Sequence, residues 1–160
     1  GGREEKFLNE TRVFIPSAVS KKSEVHFAMQ AETITKVIVE SLNYNPHDFY
    51  LINYANADVM AHTGNFEGTV QAIECIDKQL AVLFEEVVVK RNGVLCITGD
   101  HGNAEDMSLP LHEKVARPHT TNPVYFLVVK KDLEHKHINL PLEQLSDIAP
   151  FIAHVVLEEN

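Results

Sequence analysis

The chain has 160 residues, which is enough for one domain with a sizeable hydrophobic core. Its formal net charge of −9 argues against a nucleic-acid partner or an anionic membrane surface. No apolar run approaches the roughly 20 residues that cross a bilayer. The two cysteines form no C-x-x-C pair, which favours a reducing compartment, and we predict the cytoplasm.

The first half of the chain predicts two strands separated by a helix. Arg12–Pro16 is a short apolar run that ends at a proline, as edge strands often do. Within Glu32–Leu42 the apolar side chains recur on one helical face. Phe49–Asn53 is a compact apolar run that predicts a buried strand, and it leads directly into the polar segment Tyr54–Asp58.

The second half predicts a long helix, two strands and a final helix. Apolar residues spaced by three and four form a stripe that is expected to pack on a sheet: Phe66, Val70, Ile73, Ile76, Leu80, Leu83 and Val87. Gly93 is the expected left-handed cap of this helix. Val94–Thr98 and Val124–Val129 predict strands, and Ser146 or Asp147 is expected to cap the last helix.

The order of these elements predicts an α/β fold in a single domain. Strands alternate with helices, and each strand is continuously apolar, as strands covered on both faces are. This pattern favours a three-layer α/β/α sandwich with a mostly parallel sheet. Polar motifs follow the carboxyl ends of the predicted strands, which is where open α/β sheets place their functional sites.

Five acidic and imidazole side chains are the candidate functional residues. Asp58 and His62 are four residues apart, so a helical turn places both on one face. Asp100 and His101 are adjacent and can serve one site only on a loop, which the flanking glycines permit. His119 lies in the loop sequence PHTTNP. Taken singly, these motifs have ordinary interpretations: a surface ion pair, a polar turn and a loop histidine.

Together, the five residues predict a metal site. Carboxylate with imidazole, and without thiolate, is a ligand set suited to manganese or zinc. Two divalent ions about 4 Å apart form a clamp for phosphoryl transfer, so we predict a two-metal site of the metallohydrolase type. Only neutral imidazole binds a metal ion, so metal affinity should fall at low pH as the histidines protonate.

Longer motifs resemble a known family. The sequence NYANADVMAHTGNFEGTVQAIECID, followed by TGDHGNAEDM and then PHTTNPV, resembles the phosphatase domain of cofactor-independent phosphoglycerate mutases, within the alkaline phosphatase superfamily. The opening GGREEKFLNETRVFIPS resembles a further stretch of that family. The chain departs from the family pattern at Lys6 and Tyr125, which are not ligand positions.

The resemblance implies a role for each candidate residue. Asp58, His62 and His119 match the ligands of a first ion, and Asp100 and His101 match ligands of a second. The other ligands of the second ion are an aspartate and the nucleophilic serine, and neither lies in this chain. We therefore expect the second ion to be weakly bound or absent here. Manganese is favoured, and zinc or cobalt would fit the same set.

The resemblance also implies the activity and the extent of the chain. Residues 1–160 are expected to be the carboxy-terminal portion of the phosphatase domain, without the transferase domain. The implied reaction is the glycolytic interconversion of 3-phosphoglycerate and 2-phosphoglycerate through a phosphoserine. With no nucleophile in this chain, we expect it to be inactive alone, and no substrate-binding residue can be assigned. The full-length enzyme is expected to be a monomer, whereas an incomplete sheet predicts self-association of this portion.

Two alternatives stay open at this point. The first is another enzyme of the same superfamily, such as a phosphatase, a phosphodiesterase or a phosphopentomutase, since these share the DHG turn. The second is a non-catalytic metal-binding domain. The first predicts preference for another phosphate ester, and the second predicts that substituting His62 or Asp100 leaves activity intact.

Overall fold

A computed structural model describes residues 5–16, 26–107, 119–133 and 142–158. Several regions named above lie outside these ranges. They are residues 1–4 and Ser17 of the opening motif, and Pro118 of the PHTTNPV motif.

Four α-helices follow the helical patterns of the sequence: α1 (Ala31–Tyr44), α2 (Asn56–His62), α3 (Phe66–Leu83) and α4 (Ile148–Glu158). The predicted first and longest helices are thereby confirmed. Helix α3 begins at an N-cap, where the Asn65 side chain accepts a hydrogen bond of 3.0 Å from the Gly68 amide. The short helix α2 carries the Asp58–His62 pair.

A 3-10 turn at Leu145–Asp147 leads into α4. The Asp147 carboxylate accepts hydrogen bonds from the main-chain amides of Glu143 and Gln144, at 3.0 and 3.1 Å. These bonds lower the pKa of Asp147, with the Glu143 amide as the largest cause. The sequence predicted Ser146 or Asp147 as the cap, whereas in the structure the N-cap is Gln144 and Asp147 is its N3 partner in a capping box.

The end of α3 differs from its prediction. The chain continues as a π-helical segment over Phe84–Val89, and Asn92 then adopts the left-handed conformation with a φ of 54°. The prediction that Gly93 supplies the left-handed residue is wrong. Gly93 serves close packing instead, because a Cβ there would lie 2.9 Å from Cγ1 of Val87.

Two strands form the sheet: β1 (Leu95–Thr98) and β2 (Phe126–Val129). They pair in antiparallel register, with Leu95 opposite Val129 and Thr98 opposite Phe126. Both strands were predicted from their apolar runs, but the mostly parallel arrangement is not what this pair shows. Strand direction depends on the path of the chain between the strands, which an apolar run does not encode.

The other two predicted strands do not form within the described ranges. Arg12–Pro16 and Phe49–Asn53 have no strand partner there. Phe49 is 55% exposed and Leu51 is 88% exposed, so the prediction of a buried strand is wrong for this structure. A strand needs a neighbour for its amide and carbonyl groups, and the described residues supply none at these positions.

The core lies among α1, α2, α3 and the π-helical segment. Its buried apolar side chains are Ala31, Met60, Ala61, Ala72, Leu83 and Val88. The amino-terminal half of the predicted α3 stripe lies outside this core, with Phe66, Val70 and Ile73 exposed. The expected packing of this stripe on a sheet is therefore not formed by the described residues.

Neither cysteine is in a disulfide: Cys75 lies in α3 and Cys96 in β1, both half-buried and free. Burial raises the pKa of the Cys96 thiol, which disfavours the reactive thiolate. Among the described residues, the helices are too short or too polar to cross a membrane.

Candidate metal centre

Helix α2 supplies one side of the candidate site. Asp58 and His62 lie one turn apart, and Oδ1 of Asp58 is 3.3 Å from Nε2 of His62. The start of the helix is anchored by the buried Asn56 side chain, whose amide donates to the carbonyls of Phe27 and Ala28, each at 2.8 Å. The spacing predicted that the pair shares a face, and the structure confirms it.

Two loops supply the other side. The loop after β1 carries His101, and the segment before β2 carries His119. An isolated antiparallel bridge joins them, in which the Thr120 amide donates to the Gly102 carbonyl at 2.8 Å. The rings of His101 and His119 stack with centroids 3.6 Å apart and planes 16° apart.

These elements converge on one carboxylate oxygen. Nε2 of His119 lies 3.4 Å from Oδ1 of Asp58 and 3.2 Å from Nε2 of His62. One ligand atom from each of Asp58, His101 and His119 lies within 4.8 Å of the others. Three imidazoles and a carboxylate thus gather in a region small enough for one ion to reach several of them.

The chemistry of this cluster fits a divalent cation. Nδ1 of His62 and Nδ1 of His101 are buried and have no hydrogen-bond partner among the described residues. A buried imidazole nitrogen without a partner calls for an explanation, such as a water or an ion bound to that nitrogen. The set of oxygen and nitrogen donors suits manganese, zinc or cobalt, and divalent metal use is the property that this geometry supports.

Asp100 is the predicted ligand that stands apart. Its side chain is 84% exposed, and its Oδ1 lies 3.6 Å from Nε2 of His101. His101 instead approaches the group that was assigned to the first ion, through its ring contact with His119. The structure therefore gathers four of the five predicted residues. Their division between two ions stays a prediction.

Two residues of the same motif were missed by the sequence interpretation. Asn103 is 4% exposed, and its Nδ2 donates to Oδ1 of Asp58 at 2.6 Å. The Glu105 carboxylate accepts hydrogen bonds from the main-chain amide of Asn103 at 2.6 Å, from Nδ2 of Asn122 at 2.9 Å and from the Thr120 hydroxyl. Both residues lie within TGDHGNAE, so their polar side chains next to the predicted ligands could have identified them as candidate hydrogen-bond partners of the site.

The hydrogen bonds to Glu105 stabilise its ionised form. They lower its pKa from 4.5 to about 2, with the bond from the Thr120 hydroxyl as the largest cause. A glycine at position 102 makes room for this arrangement, because a Cβ there would lie 2.6 Å from Oε1 of Glu105 and would also clash with Oγ1 of Thr120. The close approach of these two side chains thus favours glycine at position 102.

Comparisons with known proteins identify the family of this chain. The sequence pattern of the metalloenzyme superfamily matches residues 1–159. The chain is 40% identical over 158 residues to the 2,3-bisphosphoglycerate-independent phosphoglycerate mutase of Francisella philomiragia, covering 98% of this chain and 30% of that protein. The protein of the same name from Legionella pneumophila is 40% identical over 151 residues, covering 94% of this chain and 28% of that protein.

A solved structure is similar over most of the described fold. The crystal structure of Leishmania mexicana phosphoglycerate mutase at low cobalt concentration matches with a TM-score of 0.70 and 27% identity, over 89% of this chain and 28% of that one. The chain therefore spans about 30% of the length of the curated relatives it matches. Because the family match extends over nearly every residue, the chain belongs to the metalloenzyme superfamily.

Proposed function

We propose that this chain is the metal-binding part of a 2,3-bisphosphoglycerate-independent phosphoglycerate mutase, which interconverts 3-phosphoglycerate and 2-phosphoglycerate. The observation that carries the proposal is the convergence of Asp58, His62, His101 and His119 on one cluster. The relatives that bear this name are 40% identical to the chain over almost its whole length, which favours the mutase over other phosphate-ester enzymes.

The residues of this chain would hold the ions. Asp58, His62 and His119 are proposed for the first ion, and Asp100 and His101 for the second. The ions, for which we propose Mn²⁺, would supply positive charge that neutralises the transferring phosphoryl group and lowers the pKa of the nucleophile. The imidazoles bind an ion in their neutral form.

The proposed reaction proceeds in two transfers. A serine from outside this chain would form a bond to phosphorus as the bond to the 3-oxygen of phosphoglycerate breaks, with the serine proton passing to a base and a proton passing to the departing 3-oxygen. The 2-hydroxyl of glycerate then takes the phosphoryl group from the serine, and its proton leaves to a base. Since this chain contributes ligands and no nucleophile to the scheme, we propose that it has no mutase activity alone.

The wider architecture is part of the same proposal. We propose that in the complete enzyme the described elements join a three-layer α/β/α sandwich with a mostly parallel sheet. Two observations support this: the TM-score of 0.70 to a chain of the Leishmania mexicana phosphoglycerate mutase, of which 28% is covered, and the exposed apolar side chains of Phe49, Leu51 and Phe66. The complete enzyme is proposed to be a cytoplasmic monomer that binds phosphoglycerates and no nucleic acid.

The test is an assay of 2-phosphoglycerate formation from 3-phosphoglycerate, with p-nitrophenyl phosphate as a generic ester. We expect the complete Mn²⁺-loaded protein to prefer phosphoglycerate, and the 160-residue chain to give no turnover. Preference for the generic ester would favour a phosphatase of the same superfamily. Full activity of the complete protein after His62→Ala and Asp100→Ala would favour a non-catalytic metal-binding domain.

A further inference from the structure

We propose that Asn103 and Glu105 are positioning residues of the metal centre: Asn103 orients the Asp58 carboxylate, and Glu105 locks together the two loops that carry His101 and His119. This inference rests on the proposed function insofar as the cluster binds a divalent ion. It assigns a role to two residues that would not themselves touch the ion.

The first step concerns the oxygen that faces the imidazoles. Oδ1 of Asp58 lies 3.3 Å from Nε2 of His62 and 3.4 Å from Nε2 of His119, so it is the oxygen best placed to bind an ion with them. The same oxygen accepts the 2.6 Å hydrogen bond from Nδ2 of Asn103. A carboxylate oxygen has two lone pairs, so one can hold Asn103 while the other remains for the ion.

The second step concerns the rigidity of that contact. Asn103 is 4% exposed, and a carboxylate can only accept, so the amide NH₂ must face Asp58. Bonds from an amide to a charged carboxylate are stronger than neutral ones, and a buried donor has little water to replace a lost partner. The side chain of Asn103 therefore fixes the rotation of the Asp58 carboxylate before any ion arrives.

The third step concerns the loops. One oxygen of Glu105 accepts a hydrogen bond of 2.6 Å from the main-chain amide of Asn103, which lies two residues after His101. The other accepts from the Thr120 hydroxyl and from Nδ2 of Asn122, just after His119. The Glu105 carboxylate thus links the two segments that carry His101 and His119, whose rings stack. The hydrogen bonds to Glu105 also favour its ionised form. Partners of this kind orient ligands and raise metal affinity.

The test is a Co²⁺ titration of the chain, since Co²⁺ gives a visible spectrum that depends on ligand geometry. For Asn103→Leu, which keeps the size and removes the donor, we expect the dissociation constant to rise about 10- to 100-fold and the spectrum to change. Thr35→Val is the matched control, because it removes a buried hydroxyl outside the cluster. That hydroxyl forms a hydrogen bond of 2.7 Å with the hydroxyl of Tyr54. The control variant should lower the melting temperature of the metal-free chain without changing the spectrum.

Glu105→Gln is the second variant. Because the side chain of Glu105 is exposed, we expect this variant to fold as the wild type does. We expect a smaller rise in the dissociation constant, with Glu86→Gln unchanged, since Glu86 bonds Lys90 and Arg91 instead. Wild-type affinity and spectrum in both Asn103→Leu and Glu105→Gln would overturn the inference and leave the proposed function standing. Failure of the wild-type chain to bind Co²⁺ would overturn the metal site itself, and the inference with it.

Discussion

The polar cluster and the apolar face of α3 differ in how far their side chains have found partners within the described residues. In the cluster, Asp58, Asn103 and Glu105 are linked by hydrogen bonds to partners from three separate segments. The apolar side chains of Phe66 and Ile73 on α3 remain 68% and 47% exposed, although their spacing is that of a buried face.

This difference depends on where the packing partners of each region lie. The cluster is assembled from a helical turn and two loops joined by the Gly102–Thr120 bridge, all within the described residues. The apolar face of α3 needs a sheet as its partner, and the described two-stranded sheet does not cover it. A site can therefore be well formed where the surrounding layers are not.

The largest effect is expected from removing a candidate metal ligand. We expect Asp58→Ala to lower Mn²⁺ affinity by more than about 100-fold, because even indirect partners of a metal contribute 10- to 100-fold. The matched change Asp100→Ala should have little effect in this chain, since that side chain is 84% exposed and outside the cluster. Isothermal titration calorimetry measures both. Equal losses would place Asp100 in the shell of the same ion.

An intermediate effect is expected at the exposed apolar residues. If they associate between copies, Ile73→Glu should weaken self-association by at least roughly 10-fold, because burying an isoleucine contributes about 1.5–3 kcal/mol. Glu74→Gln is a control at the next position of α3, which is also exposed. Sedimentation velocity over a range of concentrations measures the effect. A wild-type chain that stays a compact monomer throughout would contradict this prediction.

The smallest effect is expected from the pH dependence of Glu105. Its pKa is about 2 in the folded chain and 4.5 ordinarily, so the folded state favours the ionised form. The resulting stabilisation is complete above pH 4.5 and is lost as the pH falls through about 2. Because the side chain is exposed, solvent screening keeps this contribution modest.

Urea unfolding of the metal-free wild type and of Glu105→Gln at several pH values checks this linkage. The difference in their free energies of unfolding should shrink as the pH is lowered across that window. A difference that does not change with pH would show that the three hydrogen bonds to Glu105 do not depend on its charge.

Much of the local structure could be predicted from the sequence. The 3.6-residue periodicity located α1 and α3, the apolar runs located β1 and β2, and the i, i+4 spacing placed Asp58 and His62 on one face. The candidate ligands were found because carboxylates and imidazoles stand at the ends of predicted elements. These features depend on residues close in sequence, for which helix and turn geometry is nearly fixed.

By itself, then, the sequence determined the location of the main helices and of β1 and β2, and the identity of the candidate ligands. Only the tertiary structure decided that β1 and β2 run antiparallel, that His101 stacks on His119, that Asp100 is largely exposed and that Asn103 and Glu105 form hydrogen bonds beside the cluster. Strand direction and loop convergence depend on contacts between residues far apart in the chain, and side-chain spacing carries no record of those contacts.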